Sequence, residues 1–169
     1  MKTSRKILVI LAGIFVAFVV MYMALVRVHL LAYLENKNKN FKVVEVQNFD
    51  RLYFSPRWNV VIKNGREYKV EIDETGAVQK PSLEYIDGTL HCKAVQGETG
   101  TINAKITVPS LKEIKSAQGT LVRMDNYKAD SLTVVLEDGG RFNGNNNQIK
   151  YFSMKTTGSA LVEIVDLVE

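Results

Sequence analysis

The chain has 169 residues with 22 basic and 18 acidic side chains, a formal net charge of +4, and one cysteine. Residues 1 to 40 hold six of the basic groups against one acid, which leaves the rest of the chain near neutral at −1. That balance excludes the basic stripe that phosphate neutralisation requires, and hence a nucleic-acid partner. A lone cysteine excludes an internal disulfide framework.

The first element is an unbroken run of uncharged residues, Ile7 to Val26, behind a basic tail of residues 1–6 that carries Lys2, Arg5 and Lys6. At about 1.5 Å per residue such a helix is roughly 30 Å long, the thickness of a bilayer's hydrocarbon core. Tyr22-Met23-Ala24-Leu25-Val26 is too bulky for a small-residue cleavage site, which favours a retained signal anchor over a cleaved signal. The basic flank predicts a cytoplasmic N-terminus and a single pass, with the C-terminal part extracytoplasmic, in the periplasm. Residues 7–34 are expected to form a transmembrane and interfacial helix, and the polar residues 35–40 a tether.

Residues 41–169 are one domain's worth of chain. Their hydrophobic pattern has period two, the mark of half-buried strands. Val43, Val46, Leu52 and Phe54 come first. Val60 and Ile62 then approach Asn64-Gly65, and Tyr68, Val70 and Ile72 leave it, which predicts a hairpin with a bulge that sets Ile62 opposite Tyr68. Further strands are expected at Leu83 to Tyr85, Leu90 to Ala94 and Ile102 to Val108, where Pro109 ends the ladder. Cys92 shares the apolar phase of Leu90 and Ala94 and reads as a small buried hydrophobe. His91, in the other phase, faces water.

The last third carries a degenerate repeat. Strand-like segments at Leu111–Ile114, Leu132–Leu136 and Tyr151–Met154 each lead to a glycine, at Gly119, Gly139 and Gly158. The nearly even spacing of these glycines suggests one coil of a β-solenoid per repeat, with the glycines as equivalent corners and Leu132, Val134 and Leu136 inside. A β-sandwich with recurring glycine turns is the alternative.

Ile106-Thr107-Val108-Pro109-Ser110-Leu111, then Ile114 and Ala117-x-Gly119, then Asp130-Ser131-Leu132 with its following glycine pair, resembles the head GIN domain of putative auto-transporter adhesins. The resemblance also takes in Val60 to Ile72 and Asp87-Gly88-Thr89-Leu90, and so covers most of residues 41–165. It implies a right-handed parallel β-helix, associated with the envelope of Bacteroidetes, without an established enzymatic activity or catalytic residues. Two features depart from the pattern. The lipobox cysteine of many similar chains is absent, and the glycine motif is eroded to Glu137-Asp138-Gly139-Gly140 in the middle copy.

Candidate chemistry is sparse. Neither His29 nor His91 keeps company with cysteine or carboxylates at metal-ligand spacing, and no cofactor is implied. Asp73-Glu74 and Asp125 with Asp130 read as ordinary turn acids rather than paired catalytic carboxylates. Gly139 to Asn147 reads as a structural turn rather than an ion site, because it lacks the aspartate of calcium-binding glycine-rich repeats. For recognition the best segment is Arg51 to Asn59, where Arg51, Tyr53, Arg57 and Trp58 would suit a protein or sugar surface. Trp58 shares the phase of Val60 and Ile62, so it equally suits the core. In the C-terminal strand Leu161 and Val165 fall in one phase and Val162 and Ile164 in the other, which makes residues 160–167 a candidate contact edge for self-association or a partner.

The sequence therefore predicts a membrane-anchored extracytoplasmic β-helix module for adhesion or for protein or glycan interaction, without catalysis. A regulatory or scaffolding partner of an envelope complex is the alternative. A carbohydrate-active enzyme is the weaker one, since no clustered carboxylates, arginines and lysines share a face.

Overall fold

The computed structural model describes residues 2–73, 80–95 and 100–167. Glu74 and Glu169, and the side chains of residues 2–12, 32–39 and 166–167, the last two within the candidate contact edge, lie outside what is described. The chain divides into two units, one ending at Lys39 and one beginning at Asn40.

The first unit is α1 (Lys2–Lys39). Within it Gly13–Leu31 is long and apolar enough to cross a membrane, with a mean hydropathy of 2.3 and none of the window buried. The helix runs on through residues 35–39, the segment whose composition suggests a tether.

The second unit is all-β. Its strands are β1 (Phe41–Val44), β2 (Arg51–Phe54), β3 (Trp58–Asn64), β4 (Lys69–Asp73), β5 (Ser82–Ile86) and β6 (Thr89–Lys93). They continue with β7 (Ile102–Val108), β8 (Glu113–Ser116), β9 (Leu121–Asp125), β10 (Lys128–Leu136), β11 (Arg141–Thr156) and β12 (Leu161–Leu167). Hydrogen bonding links them in the order β1-β4-β7-β3-β9-β11-β10-β8-β2-β6-β5, with β12 added on β11. The result is an open, curled sheet of mixed orientation.

Two parallel ladders make up its middle. One runs β6-β2-β8-β10 and ends on the C-terminal half of β11; the other runs β7-β3-β9, the N-terminal half of β11, and β12. From β8 onward the register is regular. Ile114, Val134 and Met154 align in the first ladder, and Val122, Phe142 and Val162 in the second, so both ladders advance by the same step along the chain. Alternation then puts one side-chain set inward, which is why Leu132, Val134 and Leu136 are at most 1% exposed. Burying each such side chain contributes about 1.5–3 kcal/mol.

Upstream of β8 the strand order departs from a simple parallel β-helix. A plain solenoid sets each coil beside its neighbour in sequence, whereas β8 lies beside β2, with Ile114 aligned to the far upstream Leu52. The β6–β7 pair instead stacks on the other side of β2–β3. Beyond it β4 and β5 add antiparallel, on β7 and β6, and β1 adds antiparallel on β4. One continuous path through both ladders also departs from the two packed antiparallel sheets of a sandwich.

The hairpin expected at Asn64-Gly65 is absent, because β7 lies between the two strands it would join. Ile62 aligns with Ile106, and Ile106 with Val70. The connection crosses the end of β7, with the Gly65 N–H donating to the Val108 carbonyl at 3.1 Å. A Cβ at Gly65 would collide with the Thr107 methyl, so any other residue there needs the Thr107 side chain to turn away. The tight hairpin is instead β5–β6, whose two turn residues Asp87 (φ 48) and Gly88 (φ 76) have the paired positive φ of a type I′ turn.

Candidate interaction surface

Three neighbouring strands, β6, β2 and β8, present one continuous outward face. Period two sends Leu52 and Phe54, Leu90 and Cys92, and Ile114 and Ser116 into the core. The intervening residues face outward in two rows that cross the strands. One row is Thr89, Arg51 and Glu113, and the other is His91, Tyr53 and Lys115. Between them lies a groove of about 380 Å³.

Its side chains are held by neighbours. The Tyr53 and His91 rings are 5.2 Å apart at 48°. Lys115 Nζ stands 5.7 Å from the Tyr53 ring centre and pairs with Glu137 at 2.9 Å. That hydrogen bond to Glu137 raises the Lys115 pKa, so the ammonium persists further into alkaline solution. Arg51 donates from Nη2 to the Asp87 carbonyl at 2.8 Å and from Nε to Asp50 at 3.3 Å. Lys112 meets the other oxygen of Asp50 at 2.7 Å, and this hydrogen bond, with help from Arg51, lowers the Asp50 pKa. Such exposed pairs add about 0–1 kcal/mol each to stability. Their main effect is to fix the cations along one wall and the next.

The residues singled out from the sequence separate. Arg51 and Tyr53 line the groove. Trp58 does not reach the surface: it is 1% exposed, 6.0 Å from the Phe54 ring, with its indole N–H donating to Ser55 Oγ. Arg57 sits at the corner between β2 and β3 with φ 72 and donates to the Val95 carbonyl. Leu161 and Val165 are 59% and 48% exposed on β12, which belongs to the other ladder. There Leu161 borders a shallow depression of about 190 Å³ with Leu121, Arg123 and Arg141. Gly119, Gly139 and Gly158 have φ values of 69, 72 and 64.

Thr89, His91, Glu113 and Lys115 complete the groove but carry no motif. Their outward phase is readable from alternation, whereas their adjacency to Tyr53 depends on registers between strands far apart in the chain. Cys92 lies under this surface, fully buried, where desolvation pushes its thiol pKa far up and removes it as a nucleophile. Among the described residues no three His, Cys, Asp or Glu side chains gather to hold a metal ion.

Residues 48–165 match the family described as putative auto-transporter adhesin, head GIN domain. The chain belongs to this family, whose description is adhesive rather than enzymatic. Solved structures that are similar include a putative lipid binding protein from Parabacteroides distasonis, at 15% identity and a TM-score of 0.48 over 75% of this chain and 58% of that one. A putative adhesin from Bacteroides fragilis gives 11% identity and a TM-score of 0.48 over 74% and 96% of the two chains. For a putative adhesin from Parabacteroides merdae the values are 12%, 0.40, 73% and 80%. No curated protein matches.

Proposed function

We propose that the chain is a membrane-anchored extracytoplasmic module for adhesion or for protein or glycan interaction, with no catalytic role. The observation that carries this reading is the joining of one apolar helix, Gly13–Leu31, to an all-β unit whose outer face gathers Arg51, Tyr53, His91 and Lys115 beside a groove. The basic residues Lys2, Arg5 and Lys6 keep the N-terminus in the cytoplasm, and the helix stays in the mature protein. Strand ladders then hold the groove side chains rigid outside the membrane, which lowers the ordering cost of binding. The regular coils from β8 onward wind right-handed as a parallel β-helix segment, with Gly119, Gly139 and Gly158 at its corners. The exposed Leu161 and Val165 on β12 form a second contact region, for a partner or a second copy.

A scaffolding role through the helix is the second reading. Phe15, Phe18, Val19, Tyr22, Met23 and Val26 line one face of α1 at helical spacing, a continuous apolar stripe open to a second membrane helix. Pull-downs from envelope extracts separate the two. Loss of a partner on Tyr53→Ala supports recognition by the β unit, and loss only on replacing Phe18 and Tyr22 by alanine supports the scaffold.

A further inference from the structure

The groove on β6, β2 and β8 has a chemistry that narrows what it takes. Its rows stand two positions apart along the strands, roughly 7 Å, and it runs across strands spaced about 4.8 Å. Its volume of about 380 Å³ falls at the lower end of the range for small-ligand sites, about 300–1,000 Å³. The ligand it admits is therefore narrow and elongated, lying across the strands.

Charge excludes a polyanion. Arg51, Lys112 and Lys115 are matched by Asp50, Glu113 and Glu137 in the groove wall and directly behind it. Composition excludes a lipid tail, because both walls are polar or aromatic and the aliphatic side chain beneath, Leu52, is 1% exposed. What is left is a neutral ligand with many hydroxyls and some C–H surface. Donors on Arg51 and Lys115, an acceptor on Glu113 and the Thr89 hydroxyl suit vicinal hydroxyls, and the π-face of the Tyr53 ring suits the C–H face of a pyranose. An extended pyranose chain also repeats at close to the strand spacing, so successive sugars would meet successive strands.

We propose that this groove is a subsite for a neutral, linear oligosaccharide, laid across β6, β2 and β8 between the Thr89–Arg51–Glu113 and His91–Tyr53–Lys115 rows. The proposal rests on the recognition reading above and names its ligand class. No covalent step is involved.

The test is calorimetry and saturation-transfer NMR on the full chain in a detergent without a sugar headgroup. The probes are neutral hexasaccharides of β-linked glucose, mannose and galactose, with hexagalacturonate as the acidic comparison. At least one neutral series is expected to bind, the acidic one more weakly, and Tyr53→Ala and Glu113→Gln each to weaken binding roughly tenfold or more. Glu113→Gln keeps the groove's shape, so it reports even where Tyr53→Ala fails to fold. Lys63→Ala, exposed on β3 of the other ladder, should change nothing. Absence of neutral binding, tighter binding of hexagalacturonate, or indifference to Glu113→Gln overturns the assignment. A protein partner lost on Tyr53→Ala together with no neutral binding overturns the saccharide while leaving the recognition reading in place.

Discussion

Asn147 on β11 reaches back to Tyr127, accepting its backbone N–H at 2.9 Å through Oδ1, while its Nδ2 donates to the Met124 carbonyl at 2.8 Å. The side chain is 2% exposed, so it stands in for two backbone groups that the corner between β9 and β10 leaves unpaired. Next to it Asn126 and Asn146, with φ 54 and 51, stack by a side-chain hydrogen bond of 2.6 Å. Asparagine serves this corner because it tolerates positive φ and carries both a donor and an acceptor.

Asn147→Ala should therefore cost about 1–3 kcal/mol, the penalty for orphaning buried backbone groups. Asn145→Ala, nearby on the same strand but exposed, should change stability by less than about 0.5 kcal/mol. Urea unfolding of the two variants checks the contrast, and equal losses would show that the Asn147 hydrogen bonds are replaced by water.

Val134 lies between Ile114 and Met154 at 0% exposure. Val134→Asp buries a charge with no partner and should cost about 4 kcal/mol or more, enough to keep the β unit from folding. Circular dichroism and urea midpoints read this, and a variant as stable as the parent would place the strand in the wrong phase.

Gly119 separates backbone strain from crowding, since nothing lies within 4 Å of where its Cβ would be and its φ is 69. Gly119→Ala should cost about 1–2 kcal/mol through left-handed backbone alone, and Gly119→Asn less, because asparagine visits that region more easily. Thermal melts of the pair decide it. Equal losses would mean that the corner relaxes out of positive φ.

Cys92 is buried under the groove, and burial pushes its thiol pKa up. A water-soluble thiol reagent should leave the folded protein unmodified at neutral pH and react once urea unfolds it, read by mass spectrometry. Rapid labelling of the folded chain would show that β6 opens locally.

Much of this architecture was readable locally. The apolar helix, the strand ending at Val108, the inward phase of Leu132, Val134 and Leu136, and the nearly even step between Gly119, Gly139 and Gly158 all follow from short-range patterns. What sequence could not supply was pairing across long separations. The Asn64-Gly65 signal is local, and the strand that defeats it, β7, begins only at Ile102, with Ile106 aligned to both Ile62 and Val70. The same limit hid the groove. Arg51 and Tyr53 stood out by composition, but only the alignments of Tyr53 with His91 and Lys115 make them part of one surface. Trp58 went the other way, because its phase with Val60 outweighs its place in an aromatic cluster.

The proposed function requires the β unit to work outside the membrane on an anchor that stays in place. Because Cys92 is buried, a cysteine introduced at the exposed corner residue Gln118 reports alone. The measurement is labelling of Gln118→Cys with a membrane-impermeant maleimide, in cells whose outer envelope is permeabilised and whose inner membrane is intact, followed by mass of the recovered membrane-bound chain. Labelling is expected without lysis, on a chain that retains Gly13–Leu31. Labelling only after lysis, or a labelled product that has lost that helix, would contradict it.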